Sequence, residues 1–369
     1  MNDGPLVTFA LFTYNQERFV REAVEGALSQ TYSPLEIIFS DDCSSDRTFD
    51  IMREMASTYT GPHEIVLNRN GSNLGLGEHV NRVAEMARGE LIVSAAGDDV
   101  SLPCRCEELV GFWQASGRKY KFIDSDFAAI DEYGREIKLL DSPTVVGPID
   151  EMLRTRMRVR GCSESYTRDL FTLFGPILPD TVNEDRVIAF RSYLLGGIGN
   201  YSGVLVLYRL HDSNVSRHHG ISSYTFLKES AWVDRTLLNV YLNNRRDLAC
   251  AYSLGIIDKR TLDDALAAIE YHTELLCDEI KFLEGGLGLK ISRITKHMVN
   301  EPAHAVRWTA ILMCPSVYVA IRRKETSDQL IVHAKHVMAR LYGAWRKARG
   351  AKERVKPGEE LLKADNFTL

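Results

Sequence analysis

Pairs of aspartates follow two apolar segments in the first hundred residues. Asp41-Asp42 ends the segment that begins at Leu35, and Asp98-Asp99 comes shortly after the segment that begins at Leu91. If both segments are strands of an open α/β sheet, these residues lie at the carboxyl ends, where such sheets bind ligands. Two neighbouring pairs of carboxylates repel each other unless a cation or hydrogen-bond donors lie between them. A divalent metal with a diphosphate, together with a base that offers N–H donors, would satisfy both pairs.

The carboxylate oxygens of these aspartates suit Mg²⁺ or Mn²⁺, which proteins hold through one or two carboxylates plus substrate phosphates. The alternative is that each aspartate only caps the helix that follows it, since Asp is a favoured N-cap residue. Two Asp-Asp pairs at strand ends of one sheet favour the ligand-binding interpretation over capping alone.

The first half of the chain alternates strand-like and helix-like segments, which predicts a mostly parallel sheet flanked by helices. The predicted strands are residues 6–12, 35–39, 64–67, 91–95, 122–130, 198–201 and 204–207. The predicted helices are residues 19–28, 48–59, 78–86, 168–174 and 184–195, with longer helical patterns beyond residue 221.

The length of 369 residues suits one large α/β domain with an appendage. We predict a ligand-binding domain over 1–220, a helical basic region over 221–356 and a tail over 357–369. Residues 1–285 carry 29 Lys and Arg against 43 Asp and Glu, a net charge of −14. Residues 286–356 carry 15 against 4, a net charge of +11. This asymmetry indicates an anionic partner for the basic region.

The cysteine content and the termini favour a cytoplasmic protein. The seven cysteines are odd in number and include no CxxC pair with zinc spacing, which favours reduced thiols in a cytosol. The N-terminal residues lack the basic and apolar regions of a secretion signal. The apolar run over 308–321 contains Pro315 and is shorter than the roughly 20 residues of a membrane-spanning helix.

Three N-terminal stretches resemble the opening of family 2 glycosyltransferases. They read VTFALFTYN at 7–15, ALSQTY at 27–32 and EIIFSDDCSSD at 36–46. The resemblance continues in order at residues 73–75, 87–90, 97–99, 174–176, 183–185 and 208–216. It covers about residues 5–217 and is specific because the pieces keep their order and spacing. The resemblance implies the GT-A fold, an α/β domain with a mostly parallel sheet flanked by helices.

The resemblance also implies a donor site for a nucleotide sugar, with UDP as the family's default nucleotide. Thr13 and Tyr14 would pack on the nucleotide base, and Asp42 would accept a hydrogen bond from it. Asp98 and Asp99 would form the metal and diphosphate motif, with Asp99 as the direct ligand of Mn²⁺ or Mg²⁺.

The resemblance assigns the other contacts of the diphosphate only in part. His211 would lie near the diphosphate or the metal. This sequence departs from many members of the family at Ala96, where they carry an additional carboxylate, and at Val80, where they carry an arginine. Arg82 and His79 neighbour the second position, so Arg82 is a candidate for the diphosphate contact.

The resemblance identifies Asp185 as the candidate general base. A carboxylate that removes the proton of the acceptor hydroxyl contributes typically ~10²–10⁴-fold, while the metal neutralises charge on the leaving diphosphate. With one base and no nucleophile, a single displacement inverts the anomeric configuration. Glu184 competes for the same role, and either residue could instead be a first-turn acid favoured by the helix dipole.

The sequence therefore predicts an inverting glycosyltransferase that acts on a glycan or lipid-linked glycan, in the synthesis of a cell-surface polysaccharide. Four arginines either line the acceptor site or flank an edge strand with charge; they are Arg154, Arg156, Arg158 and Arg160. Residues 286–356 either lie on an anionic membrane surface at the cytoplasmic face or form a solvated helical bundle.

Two other classes of protein compete with this prediction, and no nucleic-acid partner is expected for this chain. A non-catalytic module on the same fold would bind the sugar nucleotide or a glycan without transfer. A nucleotidyltransferase would carry a Gly-rich phosphate loop after its first strand, but this chain reads TYNQE at 13–17. The joint presence of Asp42, Asp98, Asp99 and Asp185 favours the enzyme over the binding module.

Overall fold

The structure, a computed structural model, describes residues 4–140, 147–154, 159, 161–212, 214 and 223–284. One mixed sheet runs through this part of the chain. Its strands are β1 Val7–Thr13, β2 Leu35–Asp41, β3 Glu64–Arg69, β4 Leu91–Ala96, β5 Val100–Ser101, β6 Phe122–Ile130, β7 Glu136–Leu140, β8 Ser165–Thr167 and β9 Gly199–Arg209. The strand order is β3-β2-β1-β4-β8-β6-β9-β5, and β7 pairs with β6.

Helices cover the sheet and extend beyond it. They are α1 Val20–Leu28, α2 Thr48–Thr58, α3 Leu76–Met86, α4 Arg105–Ala115, α5 Ile149–Arg154, α6 Asp169–Phe174, α7 Glu184–Leu195, α8 Ser223–Ser253 and α9 Lys259–Glu284. A short 3₁₀ turn over Gly161–Ser163 leads into β8.

The apolar run of β1 is continuous because both faces of this strand are buried. Successive side chains of a strand point to opposite faces, so Phe9 and Leu11 enter one core while Ala10 and Phe12 enter the other. The first core includes residues of α1, α2 and α4, and the second includes residues of α3, α6 and α7. Burial on both faces is typical of parallel strands covered by helices.

Parallel pairing brings the carboxyl ends of the first strands to one edge of the sheet. β1 pairs in parallel with β2 and with β4, so that Thr13 lies opposite Asp41 and Phe12 lies opposite Ala96. β8 runs antiparallel between β4 and β6. This arrangement confirms the predicted fold class, an α/β GT-A domain with a mostly parallel sheet flanked by helices.

The prediction of two short strands at 198–201 and 204–207 is wrong. One strand, β9, runs through both, and its pairing with β6 shifts register near Ser125 and Asp126. The shift accommodates Ser202 and Gly203, which interrupt the apolar pattern. Five further elements, β5, β7, β8, α4 and α5, were not predicted, and the three strands among them have five residues or fewer.

The described residues fall into two compact units. The first contains the sheet, up to residue 217, and returns for Thr236–Thr273. The second contains, among the described residues, 223–235 and 274–284, and within it Arg235 pairs with Glu284 at 2.7 Å. The predicted boundaries at 220 and 356 remain predictions.

Several predicted features lie outside the described residues. These are the basic region 286–356, the tail 357–369 and the side chains of Arg154, Arg156, Arg158 and Arg160. Within the part of the chain that the structure describes, none of the helices has the length and apolarity needed to cross a bilayer.

Gly97 allows the ends of β1 and β4 to approach, and we predict that Gly97→Ala destabilises the domain. A Cβ at this position would lie 2.5 Å from Gln16 Oε1 and 2.6 Å from Thr13 Cγ2. Because Thr13 is buried, the strand end must shift, at a cost of about 1–3 kcal/mol. Chemical denaturation measures this as a lower midpoint.

Gly111→Ala is the matched control for this variant. Gly111 lies inside α4, and a Cβ there would have no neighbour within 4 Å. Alanine is favoured over glycine in a helix by about 0.5–1 kcal/mol, so this variant should be as stable as the wild type or more stable. Equal stability of both variants would contradict the close approach at Gly97.

Candidate active site

Asp42 anchors the loop that precedes α3. Its Oδ1 accepts hydrogen bonds from Asn70 Nδ2 at 2.8 Å and from the backbone N–H of Leu74 at 2.9 Å. Its Oδ2 accepts the N–H of Gly75 at 3.0 Å. Gly75 has a φ of 77°, a conformation that favours glycine. These contacts explain the Asn73-Leu74-Gly75 segment, and they use three of the about four acceptor positions of the carboxylate.

Thr13 and Tyr14 occupy different environments at the end of β1. Thr13 is buried and its Oγ1 donates to the carbonyl of Ser40 at 3.1 Å. Tyr14 is 47% exposed. Asp42 is adjacent, since its backbone N–H donates to the Thr13 carbonyl at 2.9 Å. Of the two residues predicted to contact a base, Tyr14 therefore has the accessible ring, while Thr13 shapes the strand end beneath it.

Asp98 and His211 meet at the end of β4. Asp98 Oδ2 lies 3.0 Å from His211 Nε2, and the two side chains are 13% and 5% exposed. The His211 ring packs on Phe19 with centroids 4.6 Å apart. The backbone N–H of His211 donates to Asn214 Oδ1 at 2.6 Å, which holds the segment after β9 against the turn. These contacts bring together two of the residues that the sequence analysis associated with the diphosphate and metal.

Asp99 points into the protein and is held by Arg209. The residue is 4% exposed, and its Oδ1 accepts the backbone N–H of Arg209 at 2.8 Å. The guanidinium of Arg209 is fully buried and donates to the Asp98 carbonyl at 2.9 Å and to Glu22 Oε2 at 2.8 Å. The sequence analysis favoured Asp99 as the direct metal ligand. The geometry favours Asp98, because Asp99 is enclosed between protein groups.

A second buried arginine, Arg105, lies near Asp99 and Glu164. Arg105 is fully buried at the start of α4 and donates to the carbonyls of Ser94 at 2.7 Å and Glu164 at 3.2 Å. Burial and the Asp98 carboxylate raise the pKa of Asp99 well above its ordinary value, and Arg105 and Arg209 oppose that shift. The charge of Arg105 likewise opposes the raised pKa of Glu164. The charge of one buried arginine thus acts on two buried carboxyl groups.

Glu184 and Asp185 begin α7 beside Glu164. Glu184 is 8% exposed, and its Oε2 is buried without a hydrogen-bond partner. Burial, followed by the Asp185 carboxylate, raises the pKa of Glu184 well above its ordinary value. Asp185 is partly exposed, and its Oδ1 accepts the N–H of Arg186 at 2.8 Å. Burial also raises the pKa of Asp185, and the charge of Arg186 opposes that shift.

This chain has Val80 where many family members carry an arginine. The residues at and around this position lie inside the core or away from Glu184 and Asp185. Val80 is buried in the core. His79 is buried beneath Asp41 and Asp42 with its Nε2 2.7 Å from Ser40 Oγ, and burial lowers its pKa. Arg82 is exposed on α3 and pairs with Glu85 at 3.3 Å. The structure thus gives Arg82 a partner on its own helix, and its contact with a diphosphate remains a prediction.

The side chains of Asp98 and His211 fit a divalent cation whose coordination is completed by a bound ligand. The described residues include no group of three or more His, Cys, Asp or Glu side chains arranged to hold a metal. Asp98 and His211 supply one carboxylate oxygen and one imidazole nitrogen. Mg²⁺ and similar ions are commonly held by one or two carboxylates together with substrate phosphates, so a protein-only metal cage is not required here.

The sequence analysis missed Glu164, Tyr166, Arg105 and Arg209. Arg209 lies inside the stretch 208–216 that carried the family resemblance, where only His211 was singled out. Glu164 precedes β8 and Tyr166 lies within it, and this strand of three residues is too short for a periodicity signal. A buried arginine such as Arg105 has the same appearance in a sequence as an exposed arginine, so no pattern could have identified it.

Asp42 and Asp98 follow the carboxyl ends of parallel strands, which is where open α/β sheets bind ligands. Residues 8–158 match the family model described as "Glycosyl transferase family 2". The chain therefore contains a family 2 glycosyltransferase domain, which confirms the family predicted from the sequence.

Curated relatives share this part of the chain. EpsE of Bacillus subtilis (strain 168), named as a glycosyltransferase, is 36% identical over 143 residues, which cover 38% of this chain and 50% of EpsE. An uncharacterized glycosyltransferase of Rickettsia felis is 27% identical over 221 residues, covering 58% of this chain and 35% of that protein. The matches thus span half or less of the length of these two relatives.

Solved structures that resemble this chain include two proteins with bound nucleotide sugars. S. aureus TarS 1–349 in complex with UDP-GlcNAc has 14% identity and a TM-score of 0.49, covering 80% of this chain and 92% of TarS 1–349. A mannosyltransferase from Pyrobaculum calidifontis in complex with GDP-Man and Mn²⁺ has 15% identity and a TM-score of 0.49, covering 95% of this chain and 89% of that enzyme.

We predict that Glu184→Gln stabilises the domain more at pH 8 than at pH 5. Because the pKa of Glu184 is raised, the folded chain keeps this proton at pH values where the unfolded chain has lost it. The free energy of unfolding contributed by Glu184 therefore falls as the pH rises from the ordinary pKa of a glutamate to the raised pKa of Glu184. The fall is at most about 1.4 kcal/mol per pH unit. Glutamine carries no such proton. Thermal unfolding of the variant and the wild type at both pH values measures the difference.

Glu85→Gln is the matched control, because Glu85 is exposed on α3 and pairs there with Arg82. Its difference in Tm from the wild type should be nearly the same at pH 5 and at pH 8. A Glu184→Gln variant whose difference from the wild type is also independent of pH would contradict the raised pKa.

Proposed function

We propose that the chain is an inverting glycosyltransferase that moves a sugar from a nucleotide-sugar donor to the hydroxyl of a glycan or lipid-linked glycan. The observation that carries this proposal is that one domain holds polar residues at the ends of its parallel strands together with buried acidic residues near the start of α7. Tyr14, Asp42 and Asp98 lie at adjoining strand ends, and Arg105 donates to the main-chain carbonyl of Glu164, whose carboxyl is buried like that of Glu184. The family 2 domain supports the same activity.

In the proposed reaction, Tyr14 packs on the nucleotide base and the remaining acceptor capacity of Asp42 receives an N–H of that base. Asp98 and His211 would hold Mn²⁺ or Mg²⁺ with the diphosphate, and the ion would neutralise charge on the leaving group. Arg209 keeps Asp98 in position through its carbonyl. UDP remains the first nucleotide to test.

Asp185 is the proposed general base, with Glu184 as its neighbour. The acceptor oxygen attacks the anomeric carbon as the bond to the diphosphate oxygen breaks, and the acceptor proton passes to the Asp185 carboxylate. The partial exposure of Asp185 supports this role, since a base must reach the acceptor hydroxyl. Glu184 is enclosed, and its raised pKa favours the protonated form at the start of α7.

We predict that Asp185→Asn lowers turnover by at least about a hundredfold while donor affinity changes by only a few fold. Asparagine keeps the shape of the side chain and removes its basicity. Because the pKa of Asp185 is raised, this carboxyl is ionised only at pH values above the raised pKa. The wild-type kcat should therefore rise as the pH increases through that pKa. Release of the nucleoside diphosphate, measured with UDP- and GDP-hexoses across a pH series, tests both expectations.

Glu184→Gln is the comparison for this experiment. If Glu184→Gln loses turnover while Asp185→Asn keeps it, the base is Glu184. If both variants transfer sugar as the wild type does, neither residue is the base. A wild-type chain that binds the nucleotide sugars but never turns them over supports a non-catalytic binding module.

We predict that a divalent ion strengthens nucleotide binding through Asp98. Mn²⁺ should increase the affinity for UDP or GDP by about tenfold or more, and Asp98→Asn should lose most of that gain. Asp50→Asn, which changes an exposed residue of α2, should keep it. Isothermal titration with and without Mn²⁺ measures these affinities, and equal affinity in wild type under both conditions would overturn the metal proposal.

The basic region 286–356 supports a further part of the proposal, contact with an anionic membrane surface at the cytoplasmic face. Its net charge of +11 is the basis, since each cation near an anionic leaflet contributes ~1 kcal/mol. Co-sedimentation of the full chain with anionic but not neutral vesicles, weakened by salt, is the expected result. Binding that ignores lipid charge would instead support a solvated bundle.

A further inference from the structure

A cavity of about 280 Å³ lies at the edge of the sheet opposite Asp98. Of the residues that line it, Glu90 comes directly before β4 and Lys121 directly before β6. Thr167 ends β8, which runs antiparallel to both strands. The cavity therefore lies at the amino ends of β4 and β6. The six residues of β4, at about 3.3 Å each, separate it by roughly 20 Å from the Asp98 end of that strand.

Three cations from different elements line the cavity. They are Arg118 after α4, Lys121 before β6 and Arg168 between β8 and α6. Two carboxylates share the lining, and each already has a cation: Glu90 pairs with Arg118 at 2.8 Å. Asp169 pairs with Lys121 at 2.6 Å. Among the described residues, the guanidinium of Arg168 has neither a hydrogen bond nor an ion pair. The cavity therefore has a positive charge that the protein leaves uncompensated.

The end of α4 holds Arg118 against Trp113. Arg118 has a φ of 60°, which is uncommon for a residue other than glycine, and its backbone N–H donates to the Trp113 carbonyl at 2.9 Å. Its guanidinium lies over the Trp113 ring, 4.8 Å from the centroid. Trp113 lines the cavity and is 3% exposed, and its Nε1 is buried without a hydrogen-bond partner. A residue of the lining thus carries an unpaired N–H donor in addition to those of Arg168.

The unpaired groups of the cavity are donors, and its carboxylates are already paired with cations. A ligand that completes the cavity must therefore supply acceptors and negative charge. Phosphate offers both, since it has several strong acceptor oxygens and arginine binds it through two parallel N–H···O bonds. A neutral hydroxylated ligand would leave the charge of Arg168 uncompensated. The volume lies near the lower end of small-molecule sites, about 300–1,000 Å³, and suits a ligand the size of phosphate or a sugar phosphate.

We propose that this cavity is a second ligand site of the domain and binds a phosphate group, either the free ion or a small sugar ester. Arg168 binds the phosphate and balances most of its charge, because the other two cations keep their carboxylate partners. Arg118 adds a cation beside the Trp113 ring. The proposal does not depend on the transferase function, since no residue of the donor site or of α7 takes part.

The test is isothermal titration with inorganic phosphate, a hexose 6-phosphate and the parent hexose, at constant ionic strength and without divalent metal. Arg168→Gln removes the uncompensated charge, and Arg168→Lys keeps the charge but loses the planar pair of donors. Arg245→Gln is the matched control. Arg245 is an exposed arginine of α8 that, like Arg168, has no hydrogen bond or ion pair within the described part of the chain. Asp98→Asn reports on the donor site.

The wild type should bind inorganic phosphate and the hexose 6-phosphate saturably and should not bind the parent hexose. Arg168→Gln should weaken phosphate binding by at least about tenfold, the expected loss for a hydrogen bond to a charged group. The affinity of Arg168→Lys should lie between that of Arg168→Gln and that of the wild type. Arg245→Gln and Asp98→Asn should bind phosphate within about twofold of the wild type. Without ligand, the Tm of Arg168→Gln should equal that of the wild type, because this guanidinium has no partner to lose.

Tighter binding of the ester than of inorganic phosphate identifies the sugar ester as the ligand, and the reverse order identifies the free ion; either result supports the site. Absence of saturable phosphate binding by the wild type would overturn the proposal. So would equal affinity in Arg168→Gln and the wild type, or an equal loss in Arg245→Gln, which would indicate nonspecific attraction to surface cations. Loss of binding in Asp98→Asn would assign the phosphate to the donor site and would likewise overturn the proposal.

Discussion

The burial of the Asp99 carboxyl at the end of β4 is the interaction on which the candidate site depends. A carboxylate in the interior requires a nearby cation or donor, and the chain supplies Arg209 on one strand and Arg105 on the following helix. Arg209 also binds the Asp98 carbonyl, and Arg105 binds the carbonyls of Ser94 and Glu164. The two arginines whose charges oppose the raised pKa of Asp99 therefore also join the segments at β4, β8 and β9.

The acidic side of the site has more acceptors than the protein itself can satisfy. Glu164 and Glu184 each keep an unpartnered oxygen, and Asp98 shares its carboxylate with a single histidine. Such groups reduce stability, and proteins retain them where a ligand completes the hydrogen bonds or charges.

The elements predicted correctly are those whose apolar pattern is long and regular. The bounds of β6 and α7 agree with their predictions, and β1 and β2 differ from theirs by at most two residues, because burial of a strand or helix face imposes a period on the sequence. β9 was divided in two because a register shift near Ser125 and Asp126 allows Ser202 and Gly203 within one strand. β8 has only three residues, too few to carry a period. The sequence pattern therefore predicted neither this strand nor the burial of Glu164 beside it.

The sequence by itself determined the α/β class, the family of the first 150 residues and the positions of Asp42, Asp98, His211 and Asp185 along the chain. These depend on local pattern and on residue type, both of which can be seen in one dimension. Only the tertiary structure decided that Asp99 is enclosed while Asp98 meets His211, and that Arg82 pairs on its own helix. It alone brought Glu164 and Tyr166 beside α7. Burial and charge pairing are properties of residues far apart in the chain, so they are set by packing and not by spacing.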